Sequence, residues 1–283
     1  MTQKRSRSAS RVVVGRNDDM NSGDDRNSMR TQKERSVGVG LQPMTPFMVG
    51  IAGGTGSGKT TCARRLAKML ASSNTVTLLD MDSYYNDMTF IPSNEREHVN
   101  YDHPDAVDFV RLHEDLLQLR QWRTIIKPVF DPATHTRHAG GSVLMAAQVV
   151  IAEGSMLFVD ETLRNLFQVK IFVDTPADVR LRRRLERDVR ERGRALTTAI
   201  DHYMASVLPM HDQFIEPAKQ HTEFVIPGWE DTERFLDQVV STIRKSIRRE
   251  ADRYAATLSA DRAMDSQTYS GYDSAKKQEN TIV

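Results

Sequence analysis

The sequence predicts a doubly wound α/β fold, a parallel sheet with helices on both faces. Three observations carry that reading. Short apolar runs of strand length alternate with segments of helical periodicity, several of those runs stop at an acidic residue, and the first run passes through a glycine-rich turn straight into a helix.

Phe47 to Ala52 is an unbroken apolar run and reads as a buried strand. Lys59 to Leu70 follows as a helix, with Ala63, Leu66, Met69 and Leu70 at helical spacing. Val76 to Leu79 reads as a second strand that ends in Asp80 and Asp82. Phe109, Leu112, Leu116 and Leu119 mark an amphipathic helix by their 3-4-3 spacing. Ile125 to Phe130, Val149 to Ala152 and Val169 to Val173 are further strands, the last two stopping at Glu153 and Asp174. The arginine-dense stretch Ala177 to Arg192 reads as a helix with Ala177, Leu181, Leu185 and Val189 along one side. Phe224 to Ile226 gives a last strand, and Asp231 to Arg248 a closing helix with Phe235, Val239, Val240 and Ile243 on its face. In such a fold, ligands are expected at the carboxyl ends of the strands.

A chain of 283 residues has room for one sizeable α/β domain. Lysine and arginine number 39 against 38 aspartates and glutamates, so no net field directs the chain to nucleic acid or to an anionic membrane. No apolar run approaches the roughly 20 residues that span a bilayer. The single cysteine, Cys62, excludes an intramolecular disulfide and a cysteine-built zinc site, and the expected compartment is the reducing cytoplasm. Met1 to Arg16 has the arginine and serine content of a transit peptide, but Asp18, Asp19, Asp24 and Asp25 follow at once and Val12 to Val14 is too short for an apolar stripe. The expectation is therefore a disordered tail over 1–45, a folded domain over 46–258 and a second disordered tail over 259–283, where large apolar residues are few.

Gly53, Gly54, Thr55, Gly56, Ser57, Gly58, Lys59 and Thr60 fit the G-x-x-x-x-G-K-[ST] pattern, and the strand before it and helix after it are the context the pattern requires. Its glycines let successive N–H groups converge on phosphate oxygens at the positive end of a helix. Lys59 adds a charge near the β and γ phosphates, Thr60 offers a hydroxyl to magnesium, and Thr61 extends the cradle into the helix. Acids at neighbouring strand ends then become candidates for the remaining roles. Asp82 is assigned as the base that takes a proton from the acceptor hydroxyl, and Glu153 as a ligand of the metal. On spacing alone Asp80 can trade places with Asp82. Arg180, Arg184 and Arg187 recur at helical spacing, and Gly193 allows a turn that brings Arg192 and Arg194 to the same phosphates. Positive charge gathered there stabilises a migrating phosphoryl group. His135 and His138 lack a third convergent ligand and do not make a zinc site.

From about Phe47 to Ile226 the chain resembles the uridine kinase family, also called uridine-cytidine kinases. The resemblance rests on the cradle, Asp82-Ser83-Tyr84-Tyr85, Tyr101-Asp102-His103-Pro104-Asp105-Ala106, Pro128-Val129-Phe130-Asp131 with His135-Thr136-Arg137, Glu153-Gly154, the run Arg187 to Arg194, and Pro209 to Lys219 with Phe214-Ile215-Glu216-Pro217. It implies a P-loop NTPase three-layer fold with a helical lid and a small β-rich nucleoside-binding insertion. It implies ATP, or GTP, as phosphate donor with Mg2+, and phosphorylation of the 5′-hydroxyl of uridine or cytidine by a cytoplasmic homotetramer. Asp82 is implied as catalytic base, and Thr60, Asp82 and Glu153 as the residues around magnesium. Asp102 is implied at the ribose hydroxyls and His135 at the base. Arg184, Arg187, Arg192 and Arg194 are implied as lid arginines, with Arg184 and Arg194 also near the nucleoside, and Asp231 on the adenine side. Phe130 stands where the family usually has tyrosine, and His202 where it usually has glutamine, both on the nucleoside side. The competing readings are a sister kinase for a sugar phosphate or pantothenate, against which the Asp102 and His135 segments stand, and a catalytically silent scaffold, against which Lys59, Thr60, Asp82 and Glu153 stand together. A GTPase is disfavoured because no Asn-Lys-x-Asp segment is present.

Overall fold

The computed structural model describes residues 44–230 and 232–279, with side chains described for all of these except residue 97 and residues 261–279. The tail expected over 1–45 lies almost wholly outside the described residues. The strands are β1 (Phe47–Ala52), β2 (Val76–Asp80), β3 (Ile125–Asp131), β4 (Thr136–Leu144), β5 (Val149–Glu153), β6 (Val169–Asp174) and β7 (Phe224–Pro227). Five of them form a parallel sheet in the order β2-β5-β1-β6-β7, which is the doubly wound arrangement expected.

β1 occupies the centre of the sheet, and all six of its residues are buried. Alternation sends Met48 and Ala52 to one face and Phe47, Val49 and Ile51 to the other, so one strand feeds two cores. On the first face Met48 packs with Leu79, Val150, Phe158 and Phe172 beneath helix α2 (Phe109–Arg120), through its Leu112, Leu116 and Leu119. On the second face Val49 and Ile51 meet Leu66 and Leu70 of helix α1 (Lys59–Leu70) and Leu236, Val239 and Ile243 of the closing helix. Each of these large apolar side chains contributes about 1.5–3 kcal/mol by leaving water.

Two expectations are corrected. Ile125 to Phe130 does not join the parallel sheet: as β3 it pairs antiparallel with β4 in a separate two-stranded hairpin, which is the β-rich insertion. β4 is hard to read from sequence because its residues are largely exposed and carry two adjacent glycines, so no apolar alternation marks it. The expected boundary at Leu258 falls inside the closing helix, which runs from Glu233 to Glu279 instead of giving way to a disordered tail. Residues 259–279 contain no proline and one glycine, so a helix already nucleated on the core propagates through them. Among the described side chains, Ile247 is the last residue of that helix packed against the core.

The helix Ala177–Arg190 confirms the expected element but not the face implied by its apolar stripe. Ala177 and Val189 are exposed and Leu181 and Leu185 half-buried, while Arg180, Arg184 and Asp188 are buried. The inward face of this helix is ionic. Among the described residues no helix is long and apolar enough to cross a membrane.

Candidate active site

The glycine-rich loop closes over the carboxyl end of β1. Gly56 adopts φ +76, and a Cβ there would lie 2.5 Å from the Arg180 carbonyl oxygen, so the position needs glycine on two counts. At Gly54 a Cβ would meet Arg180 Nη1 at 2.8 Å and His211 Nδ1 at 2.9 Å. The loop is thus pressed at Gly54 by two buried side chains. Lys59 opens α1 and is itself buried.

Thr60 Oγ1 donates to Glu153 Oε1 at 2.8 Å. Burial holds Glu153 above the usual carboxylate range, Lys59 pulls it back, and the charge of Asp82 pushes it up again. Two carboxylates and a hydroxyl from three separate elements therefore interact in one place. This is a hard-oxygen set of the kind magnesium uses beside phosphate oxygens and water, and a dication among them would reverse the repulsion that Glu153 experiences. Thr60, Asp82 and Glu153 accordingly fit the metal expected for them. Among the described residues no cluster of three histidine, cysteine, aspartate or glutamate side chains is placed to hold a metal alone.

A single turn sets Asp80 and Asp82 in different surroundings. Residues Met81–Tyr84 form a 3-10 turn whose N-cap is Asp80, with Asp80 Oδ2 accepting from Ser83 N at 3.2 Å and from the Ser83 hydroxyl. Asp80 Oδ1 receives Lys127 Nζ at 2.6 Å. Asp80 is thus bound into the turn and to the hairpin, whereas Asp82 is exposed and opens onto a cavity of about 260 Å3.

That cavity collects the sequence-assigned residues on its walls. Thr55 and Asp82 stand on one side with Asp102, Phe130, His135 and His202. Arg184, Arg187, Arg192 and Arg194 complete it, so every residue assigned to the nucleoside and every lid arginine lines the same space. Arg184 Nη1 lies 2.9 Å and Arg187 Nη2 3.1 Å from Thr55 Oγ1, which pins the lid arginines to the loop. Asp231 lies outside the described residues. Its neighbours Glu230 and Thr232 line a second cleft of about 280 Å3 with Gly58, Thr61, Arg183 and Trp229, on the far side of the loop. Cys62 also borders this cleft, but burial pushes its thiol up to about 12, which leaves it an inert packing residue.

Four participants were not assigned from sequence. Tyr85, Tyr101 and Phe130 form an aromatic wall, with Tyr85 and Phe130 centroids 5.3 Å apart and Tyr101 stacked on His135 at 4.5 Å. Burial, and then the charges of Asp82 and Asp102, hold the Tyr85 phenol well above its ordinary value, so it stays protonated between the two acids. Ser155 lines the floor after Glu153 and Gly154. The fourth is Asp188, 1% exposed, which takes Arg184 Nε at 2.8 Å, Arg192 Nη1 at 3.1 Å and Arg194 Nη1 at 3.7 Å. Burial alone would raise its carboxyl, but Arg184 and then Arg192 and Arg194 bring it below the usual range, so it remains ionised. Asp188 sits in the quoted run Arg187 to Arg194, where only the positive charges drew notice. His202 is held below its ordinary value by burial against the opposing pull of Asp102, and is neutral at pH 7.

Chemically, the arrangement presents a phosphate cradle, a hard-oxygen metal site, a free carboxylate and four guanidiniums around one cavity with a second carboxylate and aromatic rings on its far wall. This is equipment for phosphoryl transfer to a hydroxyl of a small molecule bearing a planar ring. The comparisons agree. The family model described as Phosphoribulokinase / Uridine kinase family matches residues 48–233. The chain is 43% identical over 202 residues to a uridine kinase of Alkaliphilus metalliredigens (strain QYMF), covering 71% of this chain and 97% of the relative. It is 41% identical over 204 residues to a uridine kinase of Ligilactobacillus salivarius (strain UCC118), covering 72% and 95%. In fold it is similar to a solved D-glycerate 3-kinase from Cryptococcus neoformans var. grubii, with TM-score 0.51, 14% identity and coverage of 66% and 88%. The match spans the loop, the acids, the hairpin and the arginine helix together, and the chain belongs to the phosphoribulokinase / uridine kinase family.

Proposed function

We propose that this enzyme transfers the γ-phosphoryl group of a nucleoside triphosphate to the 5′-hydroxyl of a pyrimidine nucleoside, uridine or cytidine. The observation that carries the reading is the cavity in which Asp82, Asp102, the Tyr101, Phe130 and His135 rings and four arginines share one wall system of about 260 Å3. The names of the relatives, uridine kinases, support the same substrate.

In this reading the planar base lies against Tyr101, Phe130 and His135, and Asp102 accepts both hydrogen bonds of the ribose diol. That places the 5′-oxygen toward Asp82, which takes its proton as the oxygen attacks phosphorus. Lys59 and the loop N–H groups hold the triphosphate from one side, and Arg187 and Arg192 compensate the charge of the phosphoryl group in flight from the other. Arg184 and Arg194, anchored on Asp188, bridge the phosphate side and the nucleoside side. Magnesium, held by Thr60, Asp82 and Glu153, would supply charge neutralisation for the β and γ phosphates. We read ATP as the donor, its base entering the second cleft beside Trp229 and Arg183. Cytoplasmic action and a homotetrameric state are part of the same proposal on family resemblance.

The test is incubation of the protein with Mg-ATP or Mg-GTP and a panel of nucleosides, sugar phosphates and pantothenate, with separation of new phosphate esters. UMP or CMP should appear with the parent protein and fall by about 10²-fold or more with Asp82→Asn. Product from another acceptor alone, or undiminished turnover by Asp82→Asn, refutes the reading.

A further inference from the structure

Among the described residues the β3-β4 hairpin pairs with no other strand, yet it is tied to one turn of the main domain at both ends of that turn. The turn is Asp80 to Tyr85, which carries Asp82. At its beginning, Lys127 of β3 places Nζ 2.6 Å from Asp80 Oδ1 and 2.5 Å from Ser83 Oγ, with the lysine side chain only 13% exposed. At its end, Arg137 of β4 donates from Nε to Tyr85 O at 2.8 Å and from Nη2 to Tyr84 O at 3.0 Å. Asp82 lies between the two grips.

The same two strands carry the base-reading side chains. Phe130 is the register partner of Arg137, and His135 stands in the loop between the strands with φ +56. Strict alternation would send residues 127 and 130 of β3 to opposite faces. The register shifts between Pro128 and Phe130, and this irregularity lets Lys127 reach Asp80 while Phe130 lines the cavity. A displacement of the hairpin tip by a bound base is therefore passed through a few residues of stiff strand to the turn that aims the carboxylate.

We propose that Lys127 is a positioning residue that couples recognition of the nucleoside base to the placement of Asp82. It touches neither substrate nor phosphate: it lies outside the cavity lining and acts through Asp80 and Ser83. Its ammonium is also the neutralising partner of Asp80, whose charge would otherwise stand two residues from the base. The proposal rests on the nucleoside kinase reading above.

The experiment is steady-state kinetics of the full chain as Lys127→Met, Lys127→Arg and Asp80→Asn, alone and with Lys127→Met, using Mg-ATP and the nucleoside that the parent phosphorylates. Lys127→Met is expected to lower kcat about 10- to 100-fold, the cost of aiming a reacting group off by about 1 Å, with both KM values within about threefold of the parent. Lys127→Arg should recover kcat to within about threefold of the parent. Asp80→Asn keeps an oxygen to cap Ser83, so it carries the test if the methionine variant does not fold, and it should lose kcat in the same way. The double variant should lose little more than either single one, since both break one contact. Parental kcat in Lys127→Met, a loss confined to the nucleoside KM, or fully additive losses overturn the proposal. A parent that phosphorylates no nucleoside overturns the function assigned above, whereas an active parent with an unaffected Lys127→Met overturns this inference alone.

Discussion

Arg184 donates from Nε to Asp188 at 2.8 Å, and this buried pair is the hub on which Arg192 and Arg194 also converge. Four guanidiniums around one cavity repel each other, as the lowered value of Arg192, caused by burial and then by Arg187 and Arg184, records. One buried carboxylate holds three of them in a fan that lines the cavity. Asp188→Asn preserves shape and removes the charge. It is expected to lower kcat about 10- to 100-fold, since arginines that stabilise the phosphoryl group in flight lose their placement. Stability should fall by about 3 kcal/mol, the lower end for breaking a buried pair, readable by denaturant titration. Parental kcat in this variant rules out the hub.

The same carboxylate makes a signed pH prediction. Its folded value lies below the ordinary one of about 3.9, so the folded state binds this proton less readily than the unfolded chain. The stabilisation is complete above about pH 5 and is lost as pH falls through the ordinary value and then the folded one. Melting temperature measured from pH 7 down to pH 3 should therefore drop less steeply in Asp188→Asn than in the parent. Parallel curves would show that the ion pairs of Asp188 contribute nothing to the fold.

Gly54→Ala tests the support behind the phosphate loop. A Cβ at this position would sit 2.8 Å from Arg180 Nη1 and 2.9 Å from His211 Nδ1. Both side chains are buried and hemmed in, His211 by Glu216 at 3.4 Å and Arg180 by its Nε bond to the Thr175 carbonyl at 3.0 Å, so neither swings away cheaply. The loop must shift instead. The alanine variant is expected to bind ATP at least about tenfold more weakly by calorimetry, with stability lowered by about 1–3 kcal/mol, the usual cost of overpacking. Parental ATP affinity would mean that the loop is not set by this contact.

Much of the fold was legible because local signals agreed: β1, the glycine turn and α1 each announce themselves in pattern and punctuation. The motifs place the expected site residues at strand ends and on one helix, and Thr55, Asp82, Asp102, Phe130, His135, His202 and the four lid arginines line one cavity, while Gly58 and Thr61 border the second cleft. What escaped depends on contacts distant in sequence. Spacing cannot tell Asp80 from Asp82, because what separates their surroundings is Lys127, 47 residues on, and the turn that makes Asp80 a cap. The leucine stripe of Ala177–Arg190 is amphipathic in pattern, but the buried side is the ionic one, since Asp188 and Thr55 take Arg184 and the Thr175 carbonyl takes Arg180. A helix that buries charge cannot be oriented by hydropathy alone.

Phe130 bears on the identity of the nucleoside. Its ring lies 5.3 Å from that of Tyr85 and 6.3 Å from that of Tyr101, in the wall where the base is placed. Phenylalanine offers that wall a face and no hydrogen-bonding group, so discrimination between a uracil carbonyl and a cytosine amine falls to other residues, His135 among them. Phe130→Tyr adds one hydroxyl that can donate or accept at the pyrimidine edge, and a hydrogen bond made to one base and not the other is worth about 1–2 kcal/mol. The ratio of kcat/KM for uridine to that for cytidine is therefore expected to change about 5- to 30-fold, while the KM for ATP, whose base is assigned to the other cleft, stays within about twofold. Equal ratios in parent and variant would remove Phe130 from the base pocket. A change in ATP KM as large as the change in ratio would mean that the hydroxyl acts on the phosphate loop and not on the pyrimidine.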